Sequence, residues 1–471
     1  MAKATKKTQG GRDDAKKVEA RASVAWSARR WKTLVAVGVA AILGANVLLG
    51  SLGGAWLRVT SFLGLAFLLG LALLMSADLR RLPVRAILVG LGLQVALGLL
   101  VLRTPVGWPV FGAMAKVFEK IVEATRAGAI FVFGDLAGDV PKFGFVLAFQ
   151  VLTIIVFIGA LSRMLYHWGI LQQVVKGLAW LMRRVMRASG AESLAAGANV
   201  FVGMVEAPLM VRPYVAGMTR SELFTVMTAG MATVAGSVMA AYVGMLRGSF
   251  LGESAGGHLL TASLMSAPAA ILIAKIMIPE TETPATLDID LVPNIDEGDE
   301  TPVNVMDAAA RGAGEGLKLA LSVGGMLVAF VGLVAMANII LGAVSGGHLT
   351  FQRLAGWAFS PVALGMGLPL DDALRAGTLM GEKTVLNEFI AYEHLAREMT
   401  ADAGWVSSHA SLVMSYALCG FANFGSVAIM IAGIGGIAPN QRPNLARLGL
   451  LSIVSGSLAA FMTGCMVGFL Y

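Results

Sequence analysis

Apolar residues fall in runs long enough to cross a lipid bilayer, and polar residues gather between those runs. A helical span needs about 20 predominantly apolar residues. Nine stretches satisfy this requirement, at about residues 31–56, 60–75, 86–102, 143–161, 223–246, 259–278, 317–341, 411–434 and 448–470. The pattern therefore predicts an all-α polytopic membrane protein with about nine transmembrane helices, embedded in the lipid bilayer.

Composition supports this interpretation and locates the net charge. Hydrophobic residues make up 57% of the 471 residues and charged residues only 14%, which is too few charges to cover a soluble surface. The net charge of +7 matches the balance of residues 1–32, which carry ten Lys or Arg and three acidic residues. A basic tail before the first apolar run favours a cytoplasmic amino terminus in the inner membrane. Nucleic-acid binding would require a basic face on a folded domain, and the sequence does not indicate one.

Three segments between the spans differ from them in composition. Residues 113–122 mix charges with apolar residues at helical spacing, and residues 168–188 form a basic amphipathic stretch, so both are predicted to be interfacial helices. Residues 279–310 hold nine acidic residues, four prolines and no Lys or Arg. This composition predicts a solvated, mobile loop.

Two further apolar stretches are interrupted by Gly, Pro, Asn and Glu, at residues 190–215 and 375–397. Each precedes a helix that is itself broken, around residues 230–237 and 419–426, and each broken helix is followed by a closing helix. An odd number of crossings separates the two sets, so the second copy is inverted relative to the first. Matched interrupted segments in two halves indicate the binding site of a transporter.

An ionisable side chain inside each interrupted stretch is a functional candidate. Glu206 and Glu388 lie in apolar surroundings, where a carboxylate is costly unless it is paired or solvated. The alternative is a structural ion pair, for which Arg212 and Lys383 are close enough in sequence. Asn387, beside Glu388, adds a second polar group.

The second broken helix brings two more polar side chains together. Asn423 and Ser426 are three residues apart beside Gly420 and Gly425, so they share one face of a helix that the glycines allow to unwind. Free carbonyls at such a break can coordinate a hard cation such as Na⁺. No cluster of His and Cys in the sequence indicates a transition metal.

At this point the residues of seven segments resemble concentrative nucleoside transporters of the bacterial, sodium-coupled type. The segments occur in order and are GAESL at 190–194, ANVFVG at 198–203, EAPL at 206–209, MTRSELF at 218–224, ATVAGS at 232–237, NEF at 387–389 and GFANF at 420–424. The resemblance runs from about residue 61 to the carboxyl end, so the first span and the basic tail look like an addition. It implies a homotrimer with one site in each protomer.

The resemblance also implies roles for individual residues. Glu388, Asn423 and Ser426 would hydrogen-bond the ribose hydroxyls, with Phe421 alongside, Glu206 facing the nucleoside and Val238 on the base side. The implied sodium ligands are the side chains of Asn199 and Thr233 and the carbonyls of Val202 and Val234. Met204 and Val205 depart from the family, which carries Gln and then Thr or Ser at these positions. Because buried polar groups reject a mismatched base, their loss predicts weaker discrimination between bases.

The resemblance implies a sodium-coupled symporter that imports nucleosides across the inner membrane by alternating access, and not an enzyme. Three alternatives stay open: proton coupling, a nucleoside-like substrate, and a membrane receptor or gate protein that does not transport. We expect seven segments: a basic cytoplasmic tail (1–32), an additional transmembrane helix (33–57), scaffold and interfacial helices (58–189), a first hairpin-plus-helices repeat (190–278), an acidic loop (279–312), a scaffold helix (313–350) and a second repeat (351–471).

Overall fold

The structure is a computed structural model, and it describes residues 30–105, 107–138, 146–249, 251–287, 289, 291, 302–400 and 407–471. Most of the basic tail and the middle of the acidic loop (residues 292–301) lie outside the described residues. Every regular element within these ranges is helical, which confirms the predicted all-α class.

The first half of the chain forms helices that lead to the first interrupted stretch. They are α1 Arg30–Gly50, α2 Trp56–Leu74, α3 Val84–Arg103, α4 Gly107–Phe133, α5 Asp135–Gly138, α6 Leu147–Gln150, α7 Leu152–His167, α8 Ile170–Met186, α9 Gly190–Ala198, α10 Glu206–Leu209, α11 Arg212–Val215, α12 Arg220–Ala232, α13 Gly236–Leu246 and α14 Ala255–Met277.

The second half continues with the long helix α15 and the second interrupted stretch. Its helices are α15 Val305–Ser345, α16 Phe351–Gly365, α17 Leu370–Val385, α18 Glu388–Thr400, α19 Ser408–Ala417, α20 Phe424–Ile437 and α21 Arg442–Leu470. Short 3₁₀ turns occur at Leu79–Arg81, Gly252–Ser254 and Pro439–Gln441.

The predicted spans agree with this architecture. Eight helical segments of the described chain are long and apolar enough to cross a membrane. The ninth predicted span, at residues 411–434, is the broken pair α19 and α20, neither of which is long enough alone. The first predicted interfacial segment falls within α4, a helix of 27 residues, and the second contains the whole of α8, a helix of 17 residues.

Helix α15 is longer than its apolar run predicts. It has 41 residues and begins at Val305, well before the predicted start at residue 317, because the Asn304 side chain caps its first turn. At 1.5 Å per residue it extends about 60 Å, twice the thickness of the hydrocarbon core. It crosses α7 along a seam of glycines: a Cβ on Gly316 would lie 2.7 Å from the carbonyl oxygen of Ile155. These two helices therefore pack backbone against backbone.

The order of elements repeats as the sequence predicts. An interrupted hairpin (α9 to α11, then α17 and α18) is followed by a broken helix (α12 and α13, then α19 and α20) and by a closing helix (α14, then α21). The breaks lie at residues 233–235 and 418–423; the first falls within its predicted segment and the second begins one residue before it. Helix α16 precedes the second hairpin and packs on α17, where a Cβ on Gly377 would lie 2.5 Å from Gly356 O. In the same way α8 precedes the first hairpin and packs on α9, where a Cβ on Gly197 would lie 3.3 Å from Ala179 N.

The first part of the acidic loop differs from the solvated, mobile loop that its composition predicts. The backbone N–H of Gly190 donates to Thr286 O (2.8 Å), and that of Ala191 donates to the Thr286 hydroxyl (3.1 Å). Glu280 accepts from the Thr219 hydroxyl at 2.9 Å and lies 3.4 Å from Lys275 Nζ. This part of the loop is thus fastened to the start of the first hairpin, because it satisfies N–H groups that α9 leaves free.

Candidate functional site

The carboxylate of Glu388 lies at the tip of the second hairpin, where α17 ends and α18 begins. The side chain is 4% exposed. Its Oε1 accepts a hydrogen bond from the Tyr242 hydroxyl (3.0 Å), and its Oε2 accepts one from Asn423 Nδ2 (2.8 Å). Hydrogen bonds to an ionised acceptor are about twice as strong as neutral ones. Both oxygens of this acid are therefore held in place by groups from other helices.

Asn423 links the hairpin to the second broken helix. It is the N-cap residue of α20, and its Oδ1 accepts the backbone N–H of Ser426 at 2.8 Å. Because Asn423 Oδ1 accepts the hydrogen bond of the cap, Nδ2 lies on the other side of the amide and donates to Glu388. The three predicted ribose-binding residues Glu388, Asn423 and Ser426 are thus brought together, although 35 residues separate the first two.

Tyr242 is a site residue that the sequence did not reveal. It lies on α13 among apolar neighbours, is completely buried, and is 146 residues from its partner Glu388. Its ring stacks on Tyr392 with centroids 4.3 Å apart and meets Phe389 edge-on at 5.0 Å. A tyrosine in an apolar helix usually fills the core, so its hydroxyl gave no signal in the sequence.

A cavity of about 170 Å³ lies between the two hairpins and the two broken helices. All eight predicted substrate-site residues line it: Met204, Val205, Glu206, Val238, Glu388, Phe421, Asn423 and Ser426. Helix α15 forms the remaining wall with Leu319, Val323 and Met326, which the sequence analysis did not include. One side of the cavity is thus built by a helix outside the two repeats.

Glu206 lines this cavity from the first hairpin, as the first residue of α10. It is exposed, and its carboxyl group folds over Gly203, where a Cβ would lie 3.0 Å from Glu206 Cδ. A glycine at position 203 therefore permits this approach. Glu206 and Glu388 face one another across the cavity from opposite hairpins.

A second cavity of about 180 Å³ adjoins the first and shares Gly203, Glu206 and Ser237 with it. Its outer wall carries Arg163 of α7 and Glu315 of α15, which form a two-pronged ion pair with N–O distances of 2.9 and 2.6 Å. Together the two cavities approach the lower end of the range for small-molecule sites.

The proposed structural partner of Glu388 does not pair with it directly. Lys383 donates to the carbonyl oxygen of Ala417 at 2.9 Å instead of to Glu388. Glu206 shares the wall of the second cavity with a different cation from the one proposed, Arg163.

The side of the cavity formed by Met204 and Val205 is apolar and closely packed. A Cβ on Gly230 would lie 2.9 Å from Met204 Cβ, and a Cβ on Gly433 would lie 2.7 Å from a Val205 methyl group. The two side chains thus fit against glycines of α12 and α20. No polar group of these two residues faces the cavity.

The predicted sodium ligands occupy the carboxyl ends of two helices. Asn199 is the C-cap residue of α9 and Thr233 that of α12, and both side chains are buried. Asn199 Nδ2 donates to Ala195 O (3.0 Å) and the Thr233 hydroxyl donates to Ala229 O (2.8 Å). Each group donates one hydrogen bond within its own helix, and the Asn199 Oδ1 atom and the Thr233 hydroxyl oxygen have lone pairs that can bind a cation, as a sodium ligand requires.

Val202 and Val234, whose carbonyls complete the predicted set, follow those helix ends. Val202 lines the second cavity, and Val234 is fully buried in the break between α12 and α13. The hairpin tip is joined to that break, because the Gly236 N–H donates to Phe201 O at 2.9 Å. Carboxyl ends of helices carry partial negative charge and favour cations. The donor set suits a hard monovalent cation.

The two breaks also touch each other. A Cβ on Gly420 would lie 2.8 Å from the carbonyl oxygen of Met231 and 3.0 Å from that of Ala232. Only a glycine lets the second break approach the end of α12 so closely. The break next to the candidate cation site and the break next to the candidate substrate site are therefore joined by a backbone contact.

Comparisons with known proteins agree with this geometry. Residues 63–136 and 258–468 match the families described as Na⁺ dependent nucleoside transporter N-terminus and C-terminus, and residues 148–248 match the one described as nucleoside recognition. The chain is 42% identical over 416 residues to an uncharacterized transporter of Haemophilus influenzae, covering 87% of this chain and 97% of that one. Solute carrier family 28 member 3 of Rattus norvegicus is 38% identical over 428 residues, covering 88% of this chain and 59% of the relative.

The solved structure of CNTnw in an inward-facing, substrate-bound state is similar to this fold. It superposes with a TM-score of 0.80 at 41% sequence identity, covering 88% of this chain and 97% of that one. These relatives are membrane transporters and not enzymes. The inverted arrangement of broken helices, the paired hairpins and the matches along most of its length show that the chain belongs to the Na⁺-dependent nucleoside transporter family, the concentrative nucleoside transporters.

Proposed function

We propose that this protein is a sodium-coupled symporter that imports nucleosides across the inner membrane by alternating access. The observation that carries this proposal is the buried Glu388–Asn423 pair at the wall of a cavity between the two repeats. Ribose presents hydroxyls that both donate and accept hydrogen bonds. A carboxylate accepts and an amide can do both, so the pair suits a ribose diol held in a fixed orientation.

The opposite side of the cavity favours a substrate whose base is bound by packing. Met204, Val205 and Val238 present apolar surface, and Phe421 supplies an aromatic edge. A pocket wall without polar groups discriminates only weakly between bases that differ in their hydrogen-bonding groups. We therefore propose that the protein accepts both pyrimidine and purine nucleosides.

Sodium would act at the first hairpin, held by Asn199 and Thr233 with the carbonyls of Val202 and Val234. This site adjoins the hairpin tip that carries Glu206, and the tip is tied to α13 by the Phe201–Gly236 hydrogen bond. Binding of the ion would order the tip and so complete the substrate cavity. Because linkage is reciprocal, each ligand would raise the affinity for the other.

Alternating access would move the hairpins and broken helices against the α7–α15 pair. The two helices of that pair pack backbone against backbone along their glycine seam. The second cavity includes Leu171 of α8, which is predicted to lie along the cytoplasmic interface, so in the proposed topology this cavity leads towards the cytoplasm. We further propose that three copies assemble, as the family resemblance implies, with the amino terminus in the cytoplasm.

Uptake of labelled uridine and adenosine into proteoliposomes, with and without an inward Na⁺ gradient, tests this proposal, with Glu388→Gln as the control. Sodium-dependent accumulation that the control abolishes is the expected result. Accumulation driven by a pH gradient alone would instead support proton coupling, for which Glu206, facing both cavities, is the candidate carrier. Binding without accumulation would support a receptor on the same fold.

A further inference from the structure

Lys383 is a buried cation that the proposed transport mechanism does not use. It lies on α17, five residues before Glu388, and is 0% exposed. Its Nζ donates to the carbonyl oxygen of Ala417 at 2.9 Å and lies 5.5 Å from the centre of the Phe461 ring. A lysine is almost never fully buried unless its charge is compensated. The negatively charged groups around the Lys383 ammonium are therefore the ones that compensate its charge.

One of those charges belongs to the broken helix. Ala417 is the last residue of α19, and the chain leaves the helical path there until Asn423 caps α20. The last carbonyls of a helix have no partner within it and carry partial negative charge. The Lys383 ammonium meets one of these carbonyls directly, so it stabilises the open end of α19.

The other charge is the carboxylate of Glu388. The two groups are buried five residues apart in one hairpin and have different hydrogen-bond partners: Tyr242 and Asn423 donate to the carboxylate, and the ammonium donates to Ala417 O. The tip of the second hairpin thus carries one positive and one negative buried charge. Loss of either would leave the other uncompensated in a low-dielectric site.

We propose that the Lys383 ammonium is a tethered cation. In the second repeat it occupies the place that the sodium ion is proposed to occupy in the first repeat. In the first repeat, Asn199 at the end of α9 and Thr233 at the end of α12 bring a cation between a hairpin and the end of a broken helix. In the second repeat, Lys383 near the end of α17 bridges to Ala417 at the end of α19.

The consequence is that only one repeat takes an ion from solution. The second break is filled permanently by a covalently attached charge, which holds Glu388 ready for the ribose whether or not sodium is present. This comparison between repeats rests on the proposed function, whereas the coupling of Lys383 to Glu388 is inferred from the burial of both groups in one hairpin.

The test compares Lys383→Met, Glu388→Gln and the double variant in the purified full-length protein. Methionine keeps the length of the side chain and removes the charge. Removing one member of a buried charge pair is expected to weaken uridine binding by about 30-fold or more. Lys383→Met should also lower the melting temperature, and adding Glu388→Gln should raise it again because no lone charge remains. Lys318→Met, at an exposed position on α15, is the matched control and should change neither property.

Additive effects of the two substitutions on melting temperature would overturn the proposal. A uridine affinity of Lys383→Met within about twofold of that of the original protein would also overturn it, because so small a difference is below the net contribution of one hydrogen bond. If Lys383→Met does not fold, the double variant decides: a folded double variant supports charge compensation. An unfolded one contradicts it, because methionine keeps the length of the side chain and no lone charge remains. A sodium titration of the original protein is measured in parallel. Absence of sodium-dependent stabilisation there would refute sodium coupling while leaving the Lys383–Glu388 result intact.

Discussion

Replacing Tyr242 with phenylalanine removes one oxygen atom from the ribose side of the candidate site. The Tyr242 hydroxyl donates to Glu388 Oε1 at 3.0 Å. Phenylalanine keeps the ring, so the stacking on Tyr392 and the edge contact with Phe389 remain. The substitution therefore isolates the contribution of a single hydrogen bond to the position of the carboxylate.

The expected loss follows from the charge of the acceptor. A hydrogen bond to a charged group contributes about 1.5–3 kcal/mol net, which corresponds to about 10- to 150-fold in affinity. Asn423 Nδ2 continues to hold the other carboxylate oxygen at 2.8 Å. Since Glu388 keeps this second partner, we expect the lower end of the range, about a tenfold weaker binding of uridine.

Equilibrium binding of labelled uridine to purified protein in saturating Na⁺ measures this effect. Tyr392→Phe is the matched control, because its hydroxyl lies in the same aromatic cluster but donates to Ser415 O (2.6 Å) instead of to Glu388. The control should lower the melting temperature and leave uridine affinity within about twofold, because its lost bond does not touch the carboxylate. Unchanged affinity in Tyr242→Phe, or an equal loss in both variants, would refute the reasoning.

Three further substitutions probe other parts of the molecule. Thr233→Val keeps the side-chain shape but removes a proposed sodium ligand, so the Na⁺ concentration for half-maximal uptake should rise about tenfold; no change would exclude Thr233 as a ligand. The pair Met204→Gln and Val205→Thr should sharpen discrimination between adenosine and uridine by about tenfold, because buried polar groups reject a mismatch; competition uptake measures the ratio, and an unchanged ratio would place the base elsewhere. Gly312→Leu should lower the melting temperature, because its Cβ would meet the carbonyl of Gly159 in the α7–α15 seam; unaltered thermal stability would show that the seam opens freely.

Much of the architecture could be predicted from the pattern of apolar residues. Helices that cross a bilayer must satisfy their own backbone hydrogen bonds, so their apolar runs are long and plain to see. Polar residues and glycines inside such runs are costly, and this made the two hairpins and the two breaks visible as interruptions. The eight residues that the family resemblance predicted to face the substrate line one cavity.

Other features of the site could not be predicted because they depend on contacts between distant segments. Tyr242 looks like an ordinary core aromatic until α13 is packed against α18, where its hydroxyl reaches Glu388. The residues from 305 to 312 appeared to belong to the acidic loop. They extend α15 instead, and Gly312 packs against the backbone of Gly159 across the seam.

By itself, the sequence determined that the chain is a helical membrane protein with two matched, interrupted repeats, because hydrocarbon tolerates few other arrangements of this pattern. Only the tertiary structure decided which partner each buried charge has. Sequence proximity suggested Lys383 as the partner of Glu388, yet the lysine binds the open end of α19 and the carboxylate is held by Tyr242 and Asn423. The hydrogen bonds of a buried group depend on which side chains surround it in space, and that is settled by how the helices pack.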